Sequence, residues 1–194
     1  MKAVRSGRVF WGGMILLGLM VVNGCTGITA TQSSASFHHP GKLFNHSTLV
    51  AAHNRWRAEV GVPGLKWSDS LAKSSEAWAN TLKGTCKIKH SHGQPYGENI
   101  YYAGPLTRVS SSRGTETEVQ QITSEMVVDA WGEEKKWYNR SSNSCSGGEC
   151  GHYTQVVWKD TSEVGCGMAY CADNAQIWVC QYEKPGNVRG QKPY

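Results

Sequence analysis

The sequence contains no run of basic residues and no patch in which basic and aromatic side chains alternate. Its formal net charge is +5, and Lys2, Arg5 and Arg8 supply three of the positive charges before any acidic residue occurs. The chain after Cys25 therefore carries a net charge of 5 − 3 = +2. Such a mild excess does not create the basic surface that binds phosphate backbones, so we do not expect nucleic acid as a partner.

The sequence also lacks an apolar run that is long enough to span a bilayer. The apolar run over residues 9–22 is interrupted by glycines and is too short to cross the membrane comfortably. It follows a positively charged start, so residues 1–25 are predicted to be an export signal.

The end of this signal, Val22-Asn23-Gly24-Cys25, resembles the cleavage box of bacterial lipoproteins, in which the cysteine is lipidated. We therefore expect an exported protein, extracellular or in the cell envelope, with a lipid on Cys25 as its membrane anchor. In a Gram-negative organism the outer membrane is the expected site. The alternative is an ordinary secretory signal that is cut near Ala30 and takes Cys25 with it.

Paired C-x-x-C motifs of the kind that bind zinc are absent. The chain has seven cysteines, and removal or lipidation of Cys25 leaves six. Disulfides persist in exported proteins, so an even number of cysteines favours three disulfides over metal thiolates or a nucleophile. The residues alone leave all of the roughly 15 pairings of six cysteines open. The six are Cys86, Cys145, Cys150, Cys166, Cys171 and Cys180.

Periodicity divides the remaining chain into a polar tether, a helical part and a strand-rich part. Residues 26–45 are rich in serine, threonine and glycine, which is typical of a flexible tether, and residues 46–194 are expected to form one folded domain. Apolar residues spaced by three and four predict three helices, over residues 49–60, 69–82 and 119–137, and a loop is expected over residues 104–115. Alternation predicts three strands, over residues 153–158, 164–170 and 176–182. This order predicts an α+β fold with an antiparallel sheet covered by helices.

Two histidines and two glutamates in the folded part are candidates for chemistry. His90, Glu98, Glu134 and His152 together could bind a divalent metal or transfer protons near neutral pH. Glu134 falls on the apolar face of the third predicted helix, where a carboxylate must reach a cleft or find a partner. The alternative for Glu134 is a surface ion pair with a basic residue among residues 135–140.

Four motifs stand out in the folded part: residues 151–158 followed by Thr161, Gly97-Glu98-Asn99-Ile100, His53-Asn54-x-x-Arg57, and residues 180–187. They resemble those of the CAP superfamily, which includes cysteine-rich secretory proteins, the antigen five group of insect venom allergens and plant pathogenesis-related proteins. The plant proteins of class one are the most similar subgroup, through residues 131–135, the loop between Cys145 and Cys150, and residues 190–194. The resemblance covers residues 46–194.

This resemblance implies a three-layer α-β-α sandwich with disulfides Cys86–Cys171, Cys145–Cys150 and Cys166–Cys180. The cleft tetrad of the family falls on His90, Glu98, Glu134 and His152, with His92 as a rival for the first position. His90 and His152 could then hold zinc or another divalent cation. The alternative is a hydrogen-bonded cluster that shapes a groove without metal.

The resemblance implies a non-catalytic binding module for a sterol, a lipid or a protein partner at the cell surface. The alternative is a metal-dependent hydrolase that acts on peptides or cell-envelope material. No nucleophile is evident for it, because Ser91 is only a sequence neighbour of His90, and no catalytic residue is assigned. Release of the tail as a peptide, proposed for plant relatives, is disfavoured because Lys184 replaces their proline.

Overall fold

The computed structural model describes residues 43–111 and 114–194. The predicted export signal, the lipidation site Cys25 and the tether up to residue 42 lie outside the described residues. Within the described part, no helix has both the length and the apolar character that crossing a bilayer requires.

Two predicted helices are confirmed near the start of the domain. Helix α1 spans His46–Glu59, and its N-cap is Asn45, whose side chain accepts a hydrogen bond from the backbone N–H of Thr48 at 2.9 Å. Helix α2 spans Asp69–Leu82, and its N-cap residue is Ser68. Each helix buries one stripe and leaves the opposite face in solvent, which is why the spacing of their apolar residues was informative.

The third predicted helix is shorter than the sequence suggested. Helix α3 spans Ser124–Gly132, because the side chain of Thr123 accepts a hydrogen bond from the N–H of Met126 and starts the helix there. Val119 and Ile122 precede this start, and Met126 is exposed rather than packed. A 3-10 helix, Glu133–Trp137, continues the chain and carries Glu134.

The central sheet has four strands, β1 (Lys66–Trp67), β2 (Gly97–Ala103), β7 (Glu163–Tyr170) and β8 (Gln176–Glu183). Their order is β1-β7-β8-β2, and only β1 runs parallel to its neighbour. The predicted strands at residues 164–170 and 176–182 are thus confirmed as β7 and β8. Four short strands lie outside this sheet and pair as hairpins: β3 (Leu106–Ser110) with β4 (Gly114–Glu118), and β5 (Tyr138–Asn139) with β6 (Ser144–Cys145).

Helices cover the sheet on both faces, which confirms the α+β class and gives three layers. Helix α2 packs on one face, against residues such as Ile177 and Val179 of β8. The other face packs against α1, α3 and a short fourth helix, through residues such as Trp178 and Tyr182. Gly165 and Gly167 let α2 lie directly on β7, since a Cβ at either position would collide with the helix backbone.

The prediction of a strand at residues 153–158 is wrong. Residues Gly151–Val156 form helix α4. Every residue from Tyr153 to Trp158 is buried, so the apparent alternation of residue types does not reflect an inside and an outside. The predicted loop at residues 104–115 contains most of the β3–β4 hairpin instead.

The described residues contain three disulfides, with the pairing that the family resemblance implied. Cys86–Cys171 joins the chain after α2 to the end of β7, and Cys166–Cys180 links β7 to β8. Cys145–Cys150 closes a short loop immediately before α4. Three disulfides in a domain of this size are typical of proteins that fold in an oxidising compartment.

Candidate functional site

Glu134 and His152 form the first of two histidine–carboxylate pairs. Oε1 of Glu134 lies 2.7 Å from Nδ1 of His152, and Oε2 accepts hydrogen bonds from the backbone N–H groups of His152 and Tyr153 at 3.0 and 3.2 Å. These N–H groups belong to the first turn of α4 and have no partner within the helix. The carboxylate therefore holds the start of α4 and orients the imidazole, which also stacks on Trp131.

Glu134 therefore has partners at the start of α4. This is one of the two situations expected for a carboxylate at this position. Its side chain is 13% exposed and that of His152 is 28% exposed. The neighbouring Lys135 pairs instead with Glu59 at 2.8 Å.

Glu98 and His90 form the second pair. Nδ1 of His90 lies 2.9 Å from Oε1 of Glu98, and Glu98 also accepts hydrogen bonds from Ser91 and from the amide of Gln181. The Glu98 side chain is 6% exposed, whereas that of His90 is 56% exposed. The structure pairs Glu98 with His90 rather than with His92.

The two members of this second pair shift each other's pKa. Burial alone would raise the pKa of Glu98, but the hydrogen bonds from His90, Gln181 and Ser91 outweigh it and hold that pKa below its usual value. The hydrogen bond to Glu98 raises the pKa of His90, against a smaller opposing effect of burial. The pair therefore favours a charged imidazole beside a charged carboxylate.

Asn99 connects the two pairs. Glu98 and Asn99 are adjacent on β2, so their side chains point to opposite faces of the sheet. The side-chain N–H₂ of Asn99 donates to the carbonyl of His152 at 3.1 Å and to the hydroxyl of Tyr182 at 3.3 Å. Asn99 thus ties the beginning of β2, next to Glu98, to the backbone of His152.

A buried histidine completes this chain of hydrogen bonds. His53 is fully buried, and burial lowers its pKa to about 4. Its Nδ1 donates to the carbonyl of Leu49 at 2.8 Å, so its Nε2 accepts from the hydroxyl of Tyr182 at 2.9 Å. The neutral ring thereby links α1 through Tyr182 and Asn99 to the backbone of α4.

Arg57 braces the other end of α4. Its guanidinium is fully buried and donates hydrogen bonds of 2.6 to 2.9 Å to four backbone carbonyls, those of Pro63, Val156, Trp158 and Thr161. A cation at a helix C-terminus is also favoured by the helix dipole. The motif His53-Asn54-x-x-Arg57 therefore positions α4, which carries His152, through buried hydrogen bonds.

The donor set of the two pairs fits a divalent cation such as zinc. Each histidine directs Nδ1 at a carboxylate, which leaves Nε2 as the nitrogen for a ligand, and carboxylates orient histidines in this way in metal sites. No three of the four side chains place ligand atoms within 4.8 Å of one another. A cation here would therefore rely on imidazoles and water rather than on a compact cage.

One cluster of three ligand-type residues does occur within the described ranges, at Cys86, Cys171 and Asp173. The two cysteines form a disulfide, and a metal-binding cysteine must be a thiolate. This cluster therefore cannot bind a metal as a thiolate site while the disulfide is intact.

The residues that sequence reasoning missed are the connectors, Asn99, Gln181 and Tyr182. None of them carries a charge or breaks a periodic pattern, so no chemical signal marked them. All three lie within two of the recognised motifs, Asn99 in residues 97–100 and Gln181 and Tyr182 in residues 180–187, and that position was the available signal.

Comparison with known proteins agrees with this architecture. The family model of the cysteine-rich secretory protein family, CAP, matches residues 50–182. Pathogenesis-related protein PRMS of Zea mays is 38% identical over 166 residues, which cover 84% of this chain and 91% of the relative. Pathogenesis-related protein 1A of Nicotiana tabacum is 40% identical over 144 residues, covering 74% of this chain and 77% of the relative.

Solved structures share the fold. Venom allergen-like protein 4 of Schistosoma mansoni is 26% identical, with a TM-score of 0.56 over 76% of this chain and 92% of that chain. A structure of NaASP2 with Zn²⁺ is 21% identical, with a TM-score of 0.57 over 81% of this chain and 90% of that chain. At this identity the second similarity concerns the fold alone.

Proposed function

Because this chain belongs to the cysteine-rich secretory protein family, CAP, and is of the plant pathogenesis-related type, we propose that it is an exported binding module whose cleft takes up a divalent cation. The cleft consists of His90, Glu98, Glu134 and His152. The observation that carries the proposal is that both histidines have Nδ1 on a buried or half-buried carboxylate. This arrangement directs Nε2 of each ring away from the carboxylate, where it can bind a cation once it has lost its proton.

In this function the glutamates orient and the histidines bind. Glu134 holds the ring of His152 with Oε1 and the start of α4 with Oε2, so the imidazole cannot rotate away without losing its hydrogen bond to Oε1. Glu98 holds His90 in the same manner. A bound zinc ion would supply positive charge and an open position for water or for an oxygen atom of a partner.

A binding role is favoured over hydrolysis by the absence of an activated nucleophile among the described cleft residues. The hydroxyl of Ser91 donates to Oε2 of Glu98 at 2.7 Å and is not paired with a histidine. All six cysteines of the domain are in disulfides. The remaining hydrolytic route is a metal-activated water, which would make the same cleft a peptide or cell-envelope hydrolase.

The ligand class that the family resemblance favours is a sterol, a lipid or a protein partner at the cell surface. The chain would be exported and held at the envelope by a lipid on Cys25, with residues 26–45 as the tether and residues 46–194 as the domain. Mass spectrometry of the exported chain tests the anchor: a diacylglyceryl group on Cys25, lost in Cys25→Ser, is expected. An unmodified N-terminus near residue 31 would instead establish the secreted form.

Zinc titration by calorimetry tests the cleft itself. The protein is the exported chain with Cys25→Ser, so that no free thiol competes for the metal. We expect stoichiometric binding that is lost in His90→Ala and in His152→Ala and retained in His92→Ala, the matched control. The absence of zinc binding by the parent protein, or equal binding by all three variants, would refute the proposed cleft. Turnover of a peptide or envelope substrate that requires zinc and Glu134 would favour the hydrolase.

A further inference from the structure

A concave site lies at the edge of the central sheet and shares no residue with the proposed cleft. It is a groove of about 790 Å³, bounded by α2, by strand β7 and by the segment that leads into α1. We call it the edge groove. Its lining residues are Phe44, His46, Asp69, Ser70, Ala72, Lys73, Glu76, Cys166, Gly167 and Met168.

The floor of the edge groove is an unpaired strand edge. β1 is two residues long and pairs with β7 only at Glu163 and Val164. Beyond Val164, no described strand pairs with β7 on that side. β8 pairs with β7 along the opposite side. The carbonyl of Val164 accepts from Ser68 on the β1 side, so by alternation the N–H and C=O groups of Met168 also point into the groove.

The two walls of the edge groove differ in chemistry. On the α2 side, residues 69, 72, 73 and 76 form one helical stripe, which places two carboxylates, Asp69 and Glu76, beside a single lysine, Lys73. No described ion pair involves the carboxylate of Glu76. On the other side, Phe44 and Met168 provide an apolar wall.

From this geometry we infer that the edge groove binds an extended peptide, which adds to β7 as a strand and places basic side chains toward α2 and apolar side chains toward Phe44 and Met168. An added strand supplies N–H and C=O groups at the spacing that β7 presents. The side chains of the added strand alternate between the two faces of the sheet. They therefore meet in turn the α2 wall, which carries Asp69 and Glu76, and the apolar wall of Phe44 and Met168. A sterol or a fatty acid could fill the apolar side but could not satisfy the strand edge.

A second copy of this chain does not fit the edge groove through its own β7. Cys166 and Gly167 are buried at the floor, beneath the walls that α2 and Phe44 form. The same walls would stand over β7 of a second copy, so the two recessed edges could not approach within hydrogen-bonding distance. A free, extended segment of about five residues matches the length of β7 from Cys166 to Tyr170.

Hydrogen exchange followed by NMR tests this inference on the exported chain with Cys25→Ser. The probe is a blocked octapeptide of alternating valine and lysine, and the comparison peptides replace lysine with glutamate or N-methylate alternate amides. We expect the valine-lysine peptide to slow exchange at the Met168 amide and the other two peptides to bind at least about fivefold more weakly. Protection of Met168 that is equal for the N-methylated peptide would overturn strand addition.

Charge reversal at Glu76 tests whether the peptide binds in the edge groove or is only attracted by the overall charge of the protein. We expect Glu76→Lys to weaken binding of the valine-lysine peptide about fivefold and to strengthen binding of the valine-glutamate peptide. Glu149→Lys, which changes the net charge equally at an exposed position outside the groove, should leave both affinities unchanged. Equal effects of the two variants would overturn the assignment. So would protection of Met168 without peptide in a concentration-dependent dimer, which would identify a second copy as the occupant.

Discussion

The carboxylate of Glu134 holds His152 at two points, with one oxygen 2.7 Å from the ring Nδ1 and the other 3.0 Å from the backbone nitrogen. A side chain in a 3-10 helix thus fixes both the direction of an imidazole and the start of the helix that carries it. Secondary-structure geometry and cleft chemistry depend here on one group, and substitutions can separate the two.

Glu134→Gln should weaken zinc binding more than it weakens the fold. The amide cannot accept hydrogen bonds at both former oxygens, so the ring of His152 loses its anchor while the volume of the side chain is kept. Loss of a carboxylate behind a metal-binding histidine typically reduces affinity about 10- to 100-fold. Calorimetry beside Glu133→Gln, an exposed neighbour, measures the effect; equal zinc affinity of the two variants would contradict this role for Glu134.

The pairing of His90 with Glu98 should contribute to stability in a defined pH window. The raised pKa of His90 gives a contribution that is complete below its ordinary value of 6.5 and is lost as pH rises through the raised value. The lowered pKa of Glu98 gives a contribution that is complete above its ordinary value of 4.5 and is lost as pH falls through the lowered value.

The stability difference between the parent and Glu98→Gln should therefore be largest between pH 4.5 and 6.5. Urea unfolding at pH values within, below and above this window measures it. A difference that does not change with pH would show that the pair is not ionised as described.

His53 should make the domain sensitive to acid. Burial lowers its pKa from 6.5 to about 4. Between these two pH values, the unfolded chain binds a proton at His53 that the folded chain does not bind. This contribution to stability is complete above pH 6.5 and falls by about 3 kcal/mol as pH decreases to 4. Urea unfolding of His53→Gln should show a smaller loss over the same range, and an unchanged pH slope in that variant would refute the assignment.

Arg57 and Arg55 should respond very differently to the same substitution. Arg57→Lys removes a buried fork that four carbonyls share, and we expect it to lower the free energy of unfolding by about 3 kcal/mol. Arg55→Lys alters a half-exposed ion pair with Asp129 and should cost less than about 1 kcal/mol. Chemical denaturation of both variants compares them, and similar losses would contradict a structural role for the buried guanidinium.

Removal of one disulfide should mainly lower stability, whereas removal of another should mainly weaken zinc binding. Replacing Cys86 and Cys171 with serine opens a loop of 85 residues and should cost about 4.5 kcal/mol, with little effect on zinc affinity once the protein is folded. Replacing Cys145 and Cys150 opens a loop of five residues and should cost only about 2 kcal/mol. Because Cys150 precedes α4 directly, this second change should weaken zinc binding more. Thermal unfolding and calorimetry on the same samples decide between these outcomes.

The sequence was informative wherever an element has one buried and one exposed side. Helices α1 and α2 and strands β7 and β8 were predicted near their observed bounds, and the family resemblance supplied the pairing of the cysteines. Residues 153–158 were misassigned because all of them are buried, which removes any contrast between two faces. The β3–β4 hairpin was taken for a loop for the opposite reason, since nearly all of its described residues are exposed.

The four cleft residues could be named from their residue types and from the family motifs, but their arrangement could not. The position of Glu134 at the start of α4 depends on where α3 ends, and the opposite faces of Glu98 and Asn99 depend on β2, a strand that the periodicity did not indicate. Contacts between distant segments, such as that of Asn99 with the carbonyl of His152, leave no local pattern in a single sequence.

The exposed β3–β4 hairpin gives the domain a practical attachment point. Its described strands pair with each other and with no third strand, and Asn174 joins it to the sheet through hydrogen bonds to Thr117. Chain inserted beside Ser111 would therefore displace neither a core residue nor a cleft residue. A fluorophore or an affinity tag placed there would label the domain without replacing a residue of the proposed cleft or of the edge groove.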